Sequence, residues 1–247
     1  MSSTIDLSRL TAGERRELLF LLETKERMKA ERRLFDLYPD RGPLRRELYA
    51  KHCEFFRAGR QHMERAAMAA NRTGKSFGIG GYETTLHLTG LYPSWWDGRR
   101  FDHPIEAWAA GDTLTTTRDI VQSIMLGPVQ QWGTGLIPKS HVIGDPVMRA
   151  GVTGGVDFVR VRHESGGVSL LGFKAYDQGR KTFQGTAKHV VWLDEEPGED
   201  IYDECLVRLT TTNGLLICTF TPLLGLSKVA LKFMPHMAPG EEKNGNR

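Results

Sequence analysis

No apolar run in the chain approaches the roughly twenty residues that a bilayer-crossing helix needs, and the amino terminus lacks the apolar core of a secretory signal. Neither a membrane span nor a leader is therefore expected. Cysteine is scarce. Cys53, Cys205 and Cys218 stand far apart, odd in number and without metal-ligand spacing. That pattern excludes a disulfide framework and a zinc module, and suits a reduced, cytosolic compartment with all three thiols in the core. No internal repeat is present. A strong excess of charge is also missing: the net charge is only +3, which permits a nucleic-acid partner without demanding one. What remains is a soluble, globular composition of 247 residues, 40% hydrophobic and 26% charged, enough for one large domain with an appended arm.

The little charge there is lies unevenly. Residues 1–60 carry fourteen Lys/Arg and ten Asp/Glu, a net of +4, which leaves −1 for the rest. Thr11 and Glu14 form a capping box, and Leu18, Leu19, Leu21 and Leu22 supply an apolar face to the helix that follows. We expect a helical arm over 1–50, with its mixed charges forming a solvated face rather than a DNA contact.

The stretch Ala69-Ala70-Asn71-Arg72-Thr73-Gly74-Lys75-Ser76 matches the phosphate-loop pattern G-x-x-x-x-G-K-[ST] except that Ala69 replaces the first glycine. Small residues 66–70 read as a buried strand before the turn, and Gly74-Lys75-Ser76 opens a helix. The unpaired N–H groups and positive dipole end of that helix would face phosphates. Lys75 would reach the β- and γ-phosphates, and Ser76 would ligate Mg²⁺. The bland alternative is a surface turn that contains Gly-Lys-Ser.

A second motif weakens that alternative. Val190-Val191-Trp192-Leu193 reads as a strand buried on both faces, and Asp194 and Glu195 follow at its carboxyl end. There Asp194 would hold the metal, while Glu195 would orient and deprotonate the attacking water. Leu215–Cys218 is a third buried strand, leaving through Thr219-Phe220-Thr221-Pro222, a hydroxyl pair placed to sense a γ-phosphate.

Between the motifs, three glycines (Gly78, Gly80, Gly81) imply close backbone packing or approach to a ligand. Tyr92-Pro93-Ser94-Trp95-Trp96-Asp97-Gly98-Arg99-Arg100-Phe101 is a loop of aromatics and arginines that either contacts nucleic acid or packs its tryptophans under the sheet. Residues 105–110 read as a strand, with Asp112 and Thr115 as helix-start candidates and Ile120, Val121, Ile124 and Met125 on one apolar face. Residues 157–162 and 168–176 read as a hairpin. Asp200 starts a helix that Gly214 ends, with Ile201, Cys205, Leu206 and Leu209 inward. The tail from Pro239 reads as disordered.

Together, the phosphate-loop variant, the Tyr92–Phe101 loop, Phe183-Gln184-Gly185-Thr186, residues 190–197 and Thr219-Phe220-Thr221-Pro222 resemble the ATPase domain of the large terminase subunit, the DNA-packaging motor of tailed bacteriophages. The resemblance spans roughly Phe55 to Gly225. It implies an α/β P-loop NTPase fold of the additional-strand, catalytic-glutamate type, with a mostly parallel central sheet between helices. It further implies ATP and Mg²⁺ as ligands, with Asn71, Arg72, Thr73, Gly74, Lys75 and Ser76 around the phosphates. Ser76 and Asp194 would hold the metal, Glu195 would be the base, Arg72 would touch the γ-phosphate, and Thr219 and Thr221 would couple hydrolysis to movement. Base binding would fall upstream, at Phe56 and Arg60. Arg100, Arg149 and Arg180 are candidates for an arginine acting on a neighbouring subunit. The implied partners are double-stranded DNA held through its phosphates, a portal protein, a small terminase subunit and further copies in a ring. The implied place is the cytoplasm of an infected bacterium, transiently at the procapsid portal. On this reading residues 51–238 are the motor domain, 239–247 a tail, and the family's nuclease domain is expected to be absent. Two other classes stay open: a helicase-like or recombination ATPase, and a nucleotide-gated assembly module with little hydrolysis.

Overall fold

The computed structural model describes residues 10–222, 225 and 227–234. A seven-stranded sheet forms the centre, in the order β1-β7-β6-β2-β5-β4-β3. Its strands are β1 (Glu64–Met68), β2 (Glu106–Gly111), β3 (Val142–Met148), β4 (Val156–Arg162), β5 (Val168–Ala175), β6 (Val190–Asp194) and β7 (Leu215–Phe220). The first five in spatial order, β1 through β5, pair in parallel, and β4 and β3 join antiparallel. The sheet is thus the mostly parallel one expected. Strand β3 was not foreseen, because Gly144, Asp145 and Pro146 interrupt its apolar residues and its ladder with β4 carries register shifts.

Position in the sheet explains strand composition. All five residues of β6 and all six of β7 are buried, as continuous apolar strands between covered faces must be. The strand expected over residues 66–70 instead ends at Met68. It lies at the sheet edge, where only Arg65 is buried and Ala66, Ala67 and Met68 are half-buried.

Helices cover both faces. The α1 (Ala12–Glu31) N-terminus carries the expected capping box: Thr11 N–H donates to Glu14 Oε2 at 2.7 Å, and Glu14 N–H to Thr11 Oγ1 at 3.3 Å. Leu19, Phe20, Leu21 and Leu22 are nevertheless exposed. The following stretch is no free arm. Leu34 and Tyr38 are buried with Phe56, Tyr82 and Trp96 in one cluster, which packs residues before position 50 into the domain. Then come α2 (Ala50–Ala58), a wide π-helical segment Lys75–Gly81 running into α3 (Tyr82–Thr89), and α4 (Leu114–Thr116), whose wide continuation Thr117–Gln122 meets α5 (Ser123–Leu126). Thr113, not Asp112 or Thr115, caps α4, accepting from Thr116 N–H at 3.1 Å. On the apolar face expected there, Val121 and Met125 are buried, whereas Ile120 is exposed. On the opposite sheet face lie α6 (Glu199–Leu209) and α7 (Lys228–Lys232). Gly198 precedes α6, and the helix stops at Leu209, so Gly214 leads into β7 rather than ending the helix. The tail expected from Pro239 lies outside the described residues.

Glycines 78, 80 and 81 serve close packing. A Cβ on Gly80 would fall 2.1 Å from Trp192 Nε1, and one on Gly78 would fall 2.7 Å from the Tyr38 hydroxyl. No other residue lets the segment after the loop lie so close to β6.

Behind that segment, β1 and α3 are joined by a buried ion network. Arg65 grips Glu83 through two bonds of 3.0 and 2.8 Å, and Arg65 Nη1 also donates to Phe55 O on α2 at 2.9 Å. His87 Nε2 lies 3.2 Å from Glu83 Oε1. Burial alone would raise the Glu83 pKa, but Arg65 and His87 outweigh it and hold it below the usual carboxylate range. Glu83→Leu strands the Arg65 charge in the interior and is expected to cost about 3–5 kcal/mol, whereas Arg65→Met with Glu83→Leu recovers most of that. Urea unfolding checks it; a single variant as stable as the parent would contradict the assignment.

Candidate active site

The loop 69–74 leaves the carboxyl end of β1 and turns back on itself through left-handed backbone at Arg72 (φ 64°) and Gly74 (φ 85°). That turn brings Lys75 inward, where it is buried. Its ammonium donates to Ala69 O at 2.9 Å, Ala70 O at 2.8 Å and Thr221 Oγ1 at 2.9 Å. The loop carbonyls thus satisfy, in the protein alone, a charge that needs an anionic or polar partner in a buried place. Asn71 Oδ1 lies 2.8 Å from the Thr221 hydroxyl. Thr73 Oγ1 donates to Ala70 O at 3.0 Å.

Across the cleft, Asp194 ends β6 and is 3% exposed. Burial pushes its pKa up to about 6, against the opposing pull of hydrogen bonds from Thr219 and Ser76. Thr219 Oγ1 donates to Asp194 Oδ1 at 2.7 Å and accepts from Trp192 Nε1 at 2.7 Å. Strand β7 lies between β1 and β6, so the acid and the loop are not on adjacent strands as the motif pair alone suggested. The intervening strand makes the link: Thr219 bonds the acid, and Thr221, two residues on, bonds the loop lysine.

Glu195 differs from its neighbour in every respect. It is exposed, and its backbone is left-handed (φ 65°), a conformation uncommon for a residue with a Cβ. Two contacts hold it there. Glu195 N–H donates to Thr219 O at 2.9 Å, and the buried Tyr176 hydroxyl lies 3.0 and 3.2 Å from the carbonyl oxygens of Asp194 and Glu195. Glu196 is committed elsewhere, as the acceptor of the Ser227 hydroxyl.

A family model for the N-terminal part of large terminase subunits of the T4-like-virus type matches residues 66–237. The large terminase subunit of Salmonella phage P22 is 35% identical over 259 aligned positions, which take in 96% of this chain and 49% of that protein. The chain belongs to the terminase large-subunit family. It spans about half the length of that curated relative. Among solved structures, the large terminase of the thermophilic bacteriophage D6E aligns with 80% of this chain and 39% of its own, at 10% identity and a TM-score of 0.47. An ADP complex of the same protein aligns with 79% and 38%, at 11% identity and a TM-score of 0.43.

Of the residues singled out by family resemblance, Lys75, Asn71 and Thr221 form one hydrogen-bonded group and Ser76, Asp194 and Thr219 another, the two meeting where Lys75 is followed by Ser76 and Thr219 by Thr221 two residues on. Arg72 is exposed and makes no hydrogen bond or ion pair with the described residues. Phe56 is corrected. It is 1% exposed, enclosed by Tyr38, Tyr82 and Trp96 at centroid distances of 5.6, 5.7 and 4.9 Å, so no ring face is left for a base. Arg60 precedes β1, whereas the loop follows it, and its partner is Asp97 at 2.5 Å. The three arginines considered for action on a neighbour all have partners within the chain. Arg100 donates to Trp96 O, Arg149 to Asp157, Gln178 and Phe173 O, and Arg180 to Glu204.

Sequence reasoning missed three residues. Trp192 was read only as core, and Tyr176 as a strand end. His52 lies against the loop: its Nδ1 is 2.7 Å from the Tyr38 hydroxyl, which is itself 2.7 Å from Gly78 O. His52 also donates to the backbone of Thr73, although burial lowers its pKa and favours the neutral ring. Nothing in residue spacing signals these partners, since Tyr38 and Gly78 are distant in the chain.

The hydroxyl of Thr219 is the testable centre of the cluster. Thr219→Val keeps its shape but leaves Trp192 Nε1 and a buried carboxylate oxygen short of a partner, at an expected cost of about 1–3 kcal/mol. Thr221→Val, at a half-exposed position, should cost less. Chemical denaturation of the two variants separates them; equal losses would mean the buried chain is not the tighter one.

Proposed function

We propose that this chain hydrolyses ATP and that hydrolysis drives double-stranded DNA into a viral capsid. The observation that supports it most is the pair of threonines at the exit of β7, one bonded to the acid and one to the loop lysine. This geometry gives a single strand end contact with both halves of a phosphate site. On this reading Lys75 exchanges its carbonyl partners for the β- and γ-phosphates, and the N–H groups at the start of its helix accompany it. Ser76 and Asp194 exchange their mutual hydrogen bond for a cation. Their hydroxyl and carboxylate oxygens suit Mg²⁺, a hard ion that keeps several waters and takes few protein ligands. When bound, Mg²⁺ neutralises charge on the phosphate oxygens. Glu195, exposed and held in strained backbone, orients and deprotonates water. Arg72, without a hydrogen-bond or ion-pair partner among the described residues, is available to the γ-phosphate. Double-stranded DNA, a portal protein, a small terminase subunit and a ring of further copies complete the proposed setting, in the cytoplasm of an infected bacterium. No described helix is long and apolar enough to cross a membrane.

Steady-state hydrolysis with and without duplex DNA tests the whole reading. A chain that binds ATP with no turnover in either condition, even when concentrated, would favour a nucleotide-gated assembly module. Within the motor reading, Glu195→Gln should retain ATP binding and lose about 10²–10⁴-fold in turnover. Lys75→Ala should instead weaken binding itself. Arg72→Ala should reduce turnover far more than affinity. Near-normal turnover in Glu195→Gln would remove it as the base.

A pH dependence follows from Asp194. Its carboxyl is raised to about 6 in the protein alone, and a bound cation favours the ionised form. Cation-dependent ATP binding should therefore release a proton near and below that pH, and affinity should fall as pH drops through it. Calorimetry in buffers of different ionisation enthalpy reads the proton count. Asp194→Asn should abolish the release, and an unchanged release in that variant would assign the proton elsewhere.

A further inference from the structure

The Tyr92–Phe101 loop has no part in the cluster around Lys75 and Asp194. It joins the end of α3 to the start of β2, at the amino ends of the parallel strands and so at the opposite pole from the phosphate loop. Its aromatic residues face inward. Trp96 is 4% exposed, and its indole N–H donates to Arg99 O at 2.9 Å. Its arginines lie over the edge of that aromatic layer, Arg99 5.0 Å from the Phe101 ring centroid and Arg100 5.2 Å from that of Tyr92. The apolar stems are thereby fixed, while the Arg100 head stays exposed and Arg99 is half-exposed.

These heads line an open cavity of about 440 Å³ together with Arg60, Asp97 and Asn213. A second hollow of about 360 Å³ continues from it, sharing Arg60 and Asp97 and adding Arg57. Asp97 bonds Arg57 at 2.9 Å and Arg60 at 2.5 Å. Arg99 and Arg100 have no carboxylate among the described residues. Burial lowers the Arg99 pKa, the mark of a cation short of compensating charge. Four guanidinium groups thus face a continuous groove with two carboxylates, Asp97, which is shared by both hollows, and Glu54, which is paired with Lys51.

We propose that this groove, formed by Arg57, Arg60, Arg99 and Arg100, docks the sugar-phosphate backbone of duplex DNA. Guanidinium forks suit phosphate oxygens, and a groove made of two hollows suits a chain of phosphates better than a single ion. Trp96 is buried, and Trp95, half-buried beneath Arg46, lines neither hollow, so the groove offers no exposed aromatic face to a base and contact is confined to the backbone. Naming DNA rather than another polyanion rests on the motor reading above; the groove itself does not.

Duplex binding is measured by fluorescence anisotropy over a range of salt, alongside binding of a fluorescent ATP analogue. Arg99→Gln with Arg100→Gln should lower the slope of log affinity against log salt by about two, one for each lost phosphate contact. ATP binding should not change. Asp97→Asn, at an exposed position, removes the carboxylate shared by both hollows and should tighten duplex binding and steepen the slope. That variant decides the matter if the double variant fails to fold. Wild-type affinity and slope in the double variant, an unchanged or weaker Asp97→Asn, or a parent that prefers poly-glutamate to duplex would each overturn the proposal. A chain whose duplex binding responds as described but which binds no ATP would leave the groove assigned and remove the motor reading instead.

Discussion

Two hydroxyls on one strand end hold the site together. Thr219 lies near the end of β7 and Thr221 just past it, and β7 lies between the strand that precedes the loop and the strand that carries Asp194. Were β7 elsewhere, the loop lysine and the acid would be adjacent, with no group between them to register a change in either. Inserting the strand separates them and requires a connector. Parallel pairing then fixes that connector's position: Asp194 is paired with Thr219 across the ladder, and Ala67 with the same threonine on the other side. The register of three strands therefore sets the geometry of the cluster, and the loop only completes it.

On the proposed reading, the two adjacent carboxylates divide labour through burial without any change of residue class. Asp194 faces the Trp192 side of β6, is cut off from water and is raised toward neutrality. One residue later the chain has turned into left-handed backbone, and Glu195 is in solvent. A carboxylate that waits for a cation gains from desolvation, because the incoming charge then has little water to compete with. A carboxylate that handles water gains from access. The Tyr176 hydroxyl and the Thr219 carbonyl fix the turn that makes this difference.

Much of this was legible in the sequence. The phosphate-loop pattern, the apolar run before Asp194 and the Thr-x-Thr exit each depend on near neighbours in the chain, where spacing is informative. The parallel strands around β6 were legible for the same reason, since a doubly covered strand must be apolar throughout. What escaped depends on distant partners. Phe56 looked free to stack on a base because nothing in its neighbours reports Tyr38, Tyr82 and Trp96 closing around it. His52 looked unremarkable because its contacts at Tyr38 and Thr73 are made only once the first fifty residues fold back on the loop. The edge placement of β1 escaped too. Its alanines read as core, yet they are half-buried, packed against the margins of two core clusters.

The two poles of the sheet are mechanically connected. Arg65 on β1 is bonded to Glu83 on α3 and to Phe55 O on α2, the helix that carries Arg57. Separating β1 from α3 would leave a charge unpaired in the interior, at a cost far above that of moving a surface loop, and separating α2 would break the Arg65 bond to the Phe55 carbonyl. The phosphate loop springs from the end of β1, and α3 continues the helical segment that begins at Lys75. Displacement at the loop is therefore passed to α2 and to the arginine groove as motion of one body, not absorbed between them. On the proposed motor reading, phosphates are gripped at one pole and nucleotide is hydrolysed at the other, an arrangement that calls for such stiffness, and the buried Arg65–Glu83 pair contributes it between β1 and α3.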